Sequence, residues 1–532
     1  MSTTETFVLA VDLGTGGPKV AIVSMNGDVI GHEYEKNDLI FLPDGGVEQD
    51  PGQWWDSIVT AARRLVSRDL VANDSIVAIS ITSQWMTTVA VGSDGKHIGN
   101  AISWMDTRGA RFAQQVSGGG VEVPTVGYNA RKLRTWLKLT GGIPSRTGKD
   151  PVGQMLFIKH ARPDVYAAAS VFLEPMDYLN FRLTGRAVAS HDTIVGHWVT
   201  DNRNLDDVRY HDKLVDWIGI DRAKLPDLVP TGSIIGTLTA QAAAEFGLSE
   251  RVQVIAGTGD TASAGIGSGA VGDYEGHLYI GTSSWLSCHV PTKKTDIFSN
   301  ITALPSGIPG RYWVATEQDT AGKCLSWLID NVLYPADSLE SGTPPDDVFD
   351  RLNGLAADAP AGCDNVMFLP WLNGERTPVD NHYLRGGWFN ASLSTQRSHL
   401  VRAVFEGVAF NTRWMNEAAE KFTKRRFAHL NFVGGGAQSS LWCQILADVL
   451  DRPIRQVADP ILANVRGAGL SAAVALGELE WGDIPSRIKI TQTFQPDPDQ
   501  RDTYDQLFAT FTSLYKKNKG IYASLNRSRA VH

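Results

Sequence analysis

Short apolar runs alternate with amphipathic stretches along most of the chain, the pattern of an α/β protein. Phe7–Asp12 is an apolar run ending in Gly14-Thr15-Gly16-Gly17, Lys19–Met25 resumes as a second strand, and Asn26-Gly27-Asp28 is a hairpin turn before a third. This strand–turn–strand opening differs from the strand–helix–strand unit of a dinucleotide fold. Asp50-Pro51 predicts a helix start, an N-cap followed by proline at the first helical position. Trp55, Val59, Ala62 and Val66 then recur at helical spacing as its core stripe, and Ile76–Thr82 predicts a buried strand leading into Gln84-Trp85-Met86. A similar grammar begins after Leu248. Val252–Ala256 reads as a strand, Gly257-Thr258-Gly259-Asp260 as a turn, and Thr261–Gly269 as a small-residue helix. His277–Ile280 runs into Gly281-Thr282-Ser283-Ser284, and Leu430–Val433 runs into Gly434-Gly435-Gly436 before an amphipathic helix over Leu441–Leu450. Two such modules predict two domains with a cleft between them, over residues 1–250 and 251–490, followed by a C-terminal helix and tail over 491–532. Ser338–Pro345 reads as a surface loop.

Composition narrows the function. Of 532 residues, 49 are basic and 58 acidic, a net charge of −9, and an acidic chain argues against extended nucleic-acid binding. No apolar run approaches the ~20 residues of a membrane helix. Met1 to Thr6 lacks the basic start of a signal peptide, so the cytoplasm is the expected compartment. Cys288, Cys324, Cys363 and Cys443 are far apart and read as reduced thiols. Lys516–His532 carries five basic residues and no acid, and reads as a solvated helix end with a frayed tail. The 52 glycines are the outlier, about a tenth of the chain against a usual ~7%.

Some motifs fail on spacing. Between Gly142 and Gly148 lie five residues where a P-loop has four, and Asp150 stands where a Mg²⁺-binding hydroxyl belongs. Gly257–Ala262 follows a strand as a dinucleotide fingerprint would, but Asp260 sits where a pyrophosphate needs neutral backbone. His191, His197 and His211 lack metal-ligand spacing. Others suit a nucleoside triphosphate. Asp12-x-Gly14-Thr15-x-x-x-Lys19 places a carboxylate at a strand end beside a glycine turn and a cation, the groups that orient Mg²⁺ and phosphate oxygens. On those residues alone a plain hairpin turn remains an equal reading. Gly281-Thr282-Ser283 repeats the strand–turn pattern, and bare backbone at Gly434-Gly435-Gly436-Ala437 would let an adenine or ribose lie against the chain.

Taken in order, the matching residues are Val11–Thr15, Trp104-Met105-Asp106-Thr107-Arg108, Asp177–Gly185, Leu225-Pro226, Gly257–Asp260, Gly281–Ser283, Asn373-Gly374-Glu375-Arg376-Thr377-Pro378 and Gly434–Trp442. This set resembles the FGGY carbohydrate kinase family of the actin-like ATPase superfamily, most of all its xylulose kinase branch, over nearly the whole chain from Phe7 to Gly477. The resemblance implies two ribonuclease-H-like domains with ATP and a sugar meeting in the interdomain cleft. It implies Asp260 as general base, and Asp12 as holder of Mg²⁺, directly or through water. Thr15, Gly16, Gly17 and Lys19 match the first phosphate turn, Gly281 and Thr282 the second, and Gly322, Gly435, Gly436 and Ser440 further nucleotide contacts. Gln84, Trp85, Met86, Asp106, Asp260 and Thr261 are the implied sugar contacts. Helix capping is the competing role for Asp260, and an ion pair with Arg108 is the competing role for Asp106.

The departures cluster on the sugar side. Gln84-Trp85-Met86 replaces the Gln-Met-His of xylulose kinases and the Gln-Arg-Glu of glycerol kinases. Met86 cannot donate the hydrogen bond of a histidine, and Trp85 offers a flat apolar wall. Thr261 stands where Asn or Gln is usual, and the Lys of the family's first signature is absent at Gln154–Phe157. The ATP side is intact except for Gly16 and Gly17. The expected activity is phosphoryl transfer from ATP to a small sugar, a ketopentose such as D-xylulose, with ribulose, glycerol or erythritol types as alternatives. A non-catalytic actin-like nucleotide-binding protein is a further alternative, against which Asp260 argues, and an oxidoreductase using Gly257–Ala262 is another. A homodimer is expected by family analogy only.

Overall fold

An apolar run without polar alternation, such as Phe7–Val11, is satisfied only in a strand covered on both faces. The computed structural model, which describes residues 5–124, 126–339 and 342–527, places it there. Residues 1–4 of the polar start, two residues of the 338–345 loop and the last five of the basic tail lie outside the described residues. Strand β1 (Phe7–Gly14) turns through Thr15 and Gly16 into antiparallel β2 (Gly17–Ser24), which β3 (Val29–Tyr34) flanks. On the other side of β1 lies β4 (Ile76–Ser83), parallel to it. The sheet is completed by β5 (Ile234–Thr237) and β6 (Gln253–Ile255), in the order β5-β6-β4-β1-β2-β3. Helix α1 (Pro51–Val66) starts where the sequence predicts, with the Asp50 carboxylate accepting from the Gly52 amide, and it buries Trp55, Ala62 and Val66.

The second sheet repeats the same core: an antiparallel pair, then two parallel neighbours. It runs β8 (Ser284–Ser287), β7 (Gly276–Ile280), β9 (Leu430–Val433), β10 (Ile454–Val457) and β11 (Ile490–Phe494). One expectation is corrected. Strand β6 does not open the second module; Val254 and Ile255 pair in parallel with Ile79 and Ser80, so the first sheet continues past the expected 250/251 division. A buried strand has the same apolar pattern whichever sheet accepts it, and only pairing decides.

Five further helices bear on the candidate site. Helix α2 (Asp260–Gly267) leaves the end of β6, α3 (Gly322–Leu328) and α4 (Ser440–Leu450) belong to the second unit, and α5 (Ala463–Ala475) and α6 (Arg501–Asn526) follow. Lys516, Lys517 and Lys519 are exposed on α6, while Phe511 and Leu514 of the same helix are buried. Among the described residues no helix is long and apolar enough to cross a membrane, and all four cysteines are free and buried.

Helices α2 and α5 join the two halves. A Cβ at Gly267 would lie 1.8 Å from the Ala463 carbonyl oxygen, and one at Gly467 would lie 1.9 Å from that of Ser263, so the backbones touch directly. The Ser263 hydroxyl donates to the Asn464 carbonyl at 2.8 Å. The other side of α5 covers the first sheet, where Leu462, Val465 and Ala468 pack with Ala10, Ala21 and Val23, and Ala472 with Val8, Ala78 and Ile255. Gly467→Ala should therefore cost about 1–3 kcal/mol by overpacking. Gly354→Ala, exposed in the helix Val348–Ala357 with open space around it, should gain up to about 1 kcal/mol from helix propensity. Denaturant melts followed by circular dichroism check both, and a tolerated Gly467→Ala would contradict the contact.

Candidate active site

The ends of β1, β4 and β6 bring the first set of side chains together. Asp12 pairs across the sheet with Lys19 on β2 and Thr82 on β4, and its carboxylate accepts from Asn464 Nδ2 at 3.3 Å. The next turn is tightly held. Gly17 has φ of 139°, where a Cβ would lie 2.0 Å from the Glu35 carbonyl oxygen, and the Tyr34 hydroxyl donates to the Gly16 carbonyl at 2.9 Å. Lys19 Nζ reaches across the joint and donates to the Ile461 carbonyl at 2.7 Å.

Thr15 is the centre of a network that includes the predicted acceptor turn. Its hydroxyl donates to Gln84 Oε1 at 3.0 Å and accepts from the Trp104 indole at 3.2 Å. Gln84 Nε2 donates to Gln49 Oε1 at 2.7 Å, and Gln49 Nε2 donates back to the Thr15 carbonyl at 2.9 Å. The neighbouring Trp85 indole donates to the Thr193 carbonyl at 2.9 Å. Met86 adopts φ of 66°, held by Gln154 Nε2 on its carbonyl at 2.8 Å and by the buried Glu174 carboxylate on the Thr87 amide at 3.0 Å.

The Gly257–Asp260 turn docks onto β4. A Cβ at Gly257 would lie 1.8 Å from the Ile81 carbonyl oxygen, the Thr82 hydroxyl donates to the Thr258 carbonyl at 2.7 Å, and Thr258 in turn donates to the buried Asp192. Asp260 is the first residue of α2, whose N-cap is Gly259, and its Oδ1 accepts from the Thr261 amide at 2.8 Å. Asp260 therefore does not occupy the capping position.

A second cradle forms where β7 ends. The Gly322 amide donates to the Gly281 carbonyl at 2.8 Å, and the Ala321 and Lys323 amides donate to the Thr282 carbonyl at 3.0 and 3.2 Å. Gly434 turns at φ of 87° against the Ile280 carbonyl, and Gly436 sits against the Ile280 side chain. Gly281, Thr282, Gly322, Gly435 and Gly436 thus converge on one strand end. Thr282, Gly435 and Ser440 stay exposed, the last at the start of α4.

Asp106 behaves differently from the other expected sugar contacts. It is 1% exposed, accepts from the Val47 amide at 2.9 Å, and is paired with Arg108 Nη2 at 2.7 Å, which also reaches Glu48. Its acceptor capacity is spent inside the first unit, so the geometry favours the ion-pair role. Trp104, two residues earlier in the same motif, is the one that faces Thr15; sequence reasoning quoted it without giving it a role. Asn464, the partner of Asp12, carried no local signal.

A model of the N-terminal domain of the FGGY family of carbohydrate kinases matches residues 7–267, and one of its C-terminal domain matches 277–476. The chain belongs to the FGGY family of carbohydrate kinases. It is similar to a Staphylococcus epidermidis protein named xylulose kinase, at 26% identity over 97% of this chain and 98% of that one. It is also similar to a Bacillus subtilis gluconokinase, at 24% over 98% and 97%. The crystal structure of a ligand-bound xylulose kinase from Lactobacillus acidophilus shares the fold at a TM-score of 0.84 and 23% identity, covering 98% of this chain and all of that one. An FGGY carbohydrate kinase is an ATP-dependent sugar phosphotransferase.

The electrostatics at these strand ends centre on two carboxylates. Burial pushes the Asp260 pKa up to about 7, with the negative charges of Asp12 and Glu317 adding to the shift. Burial also raises that of Asp12, against the opposing pull of Lys19 and the Asn464 hydrogen bond. Removing a like charge favours ionisation. Asp12→Asn should therefore lower the Asp260 pKa in the metal-free protein, read by NMR titration of ¹³C-labelled aspartate; an unmoved Asp260 resonance would show that the two groups do not face each other.

Proposed function

We propose that this kinase transfers the γ-phosphoryl group of ATP to a hydroxyl of a small ketose, a ketopentose such as D-xylulose giving the 5-phosphate. The observation carrying this reading is the convergence of three parts at the strand ends. These are a base at Asp260, a phosphate turn at Thr15–Gly17, and an acceptor turn at Gln84–Met86 tied to that phosphate turn through Thr15. The name of the Staphylococcus relative supports a ketopentose, and that of the Bacillus relative points to gluconate as the competing acceptor.

Asp260 takes the proton of the attacking hydroxyl as its oxygen bonds to the γ-phosphorus, and the bond to the bridging oxygen breaks to release ADP. A carboxylate whose conjugate acid has a pKa of about 7 is poised to accept that proton at neutral pH. The backbone of Thr15, Gly16 and Gly17 and that of Gly281 and Thr282 would hold the phosphates from the two units, with Lys19 lending positive charge. Gly322, Gly435, Gly436 and Ser440 would take the adenosine side. Trp85, Met86 and Thr261 would shape the acceptor side, with Trp104 in place of Asp106.

Mg²⁺ fits beside Asp12. The described residues contain no cluster of three or more His, Cys, Asp or Glu side chains suited to a metal, but Mg²⁺ with a nucleotide needs only one or two carboxylates, completing its shell with phosphate oxygens and water. Bound there, the ion would neutralise phosphate charge. Asp12 would hold it, and Asn464 keeps that carboxylate in place.

Asp260→Asn should reduce acceptor-dependent ADP release by about 10²–10⁴-fold, the usual contribution of a positioned base, while ATP binding persists. A coupled ADP assay across ketopentoses, ketohexoses, polyols and gluconate should give its highest kcat/KM with a ketopentose. Full activity in the variant would remove the mechanism, and another preferred acceptor would remove the substrate.

A further inference from the structure

The loop Asn373–Pro378 belongs to the second unit and has no part in the reaction as described. Its construction is rigid. Glu375, 1% exposed, accepts from Asn411 Nδ2 and from the Arg376 amide, the latter at 2.8 Å. The Thr377 amide donates to the Glu317 carbonyl at 3.0 Å, the Glu317 amide donates back to the Thr377 hydroxyl at 3.3 Å, and that hydroxyl donates to the Asn300 carbonyl at 3.2 Å. The loop is therefore clamped along the segment Glu317–Asp319, and what it presents is Arg376.

The guanidinium is oriented by two carboxylates, Nη1 pairing with Glu317 and Nε with Asp319 Oδ1 at 2.7 Å. Nη2 has no hydrogen-bond partner among the described residues. The Arg376 side chain is 25% exposed, and its Cζ lies over the Trp104 ring of the other unit at 5.9 Å. Trp104 donates to Thr15, and Thr15 to Gln84, so the guanidinium stands across the cleft from the acceptor turn. The Glu317 charge also contributes to the raised pKa of Asp260.

A purely structural role leaves part of this unexplained. Pairing with both carboxylates would satisfy the charge without also bringing the guanidinium to 5.9 Å from an aromatic ring of the opposite unit. We propose that Arg376 is the acceptor-binding residue supplied by the second unit, donating from Nη2 to a hydroxyl or carbonyl oxygen of the sugar held against Trp104. Because the two carboxylates of Glu317 and Asp319 more than offset its charge, it offers a directed hydrogen bond rather than net positive charge, which favours a neutral sugar oxygen over a carboxylate. The inference rests on the acceptor placement in the proposed function and names the chemical class of acceptor there.

The test uses the full chain and the acceptor with the highest kcat/KM in the screen above, compared among wild type, Arg376→Ala, Arg376→Lys and Asp260→Asn. Arg376→Ala should raise the acceptor KM at least about tenfold, as expected for loss of a charge-assisted hydrogen bond, with the KM for ATP changed less than about twofold. Arg376→Lys keeps a charge for Glu317 and Asp319 but not the planar fork; it should raise the acceptor KM by at least about threefold, and it decides the matter alone if the alanine variant fails to fold. An unchanged acceptor KM, or equal changes in both KM values, overturns the inference, as does gluconate outperforming every neutral acceptor. If Asp260→Asn still loses turnover in those cases, the kinase mechanism stands; if it does not, the mechanism fails independently.

Discussion

The direct backbone contact between α2 and α5 is the constraint on which the cleft depends. Gly267 against the Ala463 carbonyl and Gly467 against the Ser263 carbonyl admit no side chain, so the helices approach as closely as their backbones allow. One helix begins with Asp260 and the other begins beside Asn464, which bonds Asp12. A methyl group at either glycine would push apart Asp260 and Asp12, the carboxylates proposed as base and as metal holder. Because α5 also covers β1, β2 and β4, the same helix ties this spacing to the first sheet.

Bringing two partly buried carboxylates together has an electrostatic consequence. Burial raises the pKa of both, and the charge of Asp12 adds to the shift at Asp260. The arrangement is incomplete without positive charge, which Lys19 supplies only in part. A nucleotide–metal complex, as proposed, would supply that charge, and a pKa of about 7 suits Asp260 to the proposed role of general base. The hydrogen-bond circuit through Thr15, Gln49, Gln84 and Trp104 extends this order from the proposed phosphate turn to the proposed acceptor side.

Much of the site was legible because glycine at a strand end has a local physical cause. Gly17, Gly257 and Gly434 each meet a carbonyl where a Cβ would sit, and each follows an apolar run that reads as a strand. The helix start at Asp50-Pro51 was equally local. Other features had no local trace. The pattern of Val252–Ala256 was that of a strand, but its place beside β4 came from pairing. Asp106 and Trp104 share one motif, and only packing showed that the carboxylate turns inward to Arg108 while the indole turns toward Thr15.

The resemblance to the FGGY family supplied the proposed phosphate and base roles; by itself, the order of apolar runs, glycine turns and capping residues determined two related sheets and the turns at their strand ends. These depend on neighbours a few residues apart, so the chain records them directly. The tertiary structure decided what long-range approach alone can decide: which sheet receives β6, that Asn464 reaches Asp12 from the far end of the chain, and that Arg376 crosses to Trp104. Such contacts join residues with no shared periodicity, and their energies exist only once the two units have packed together.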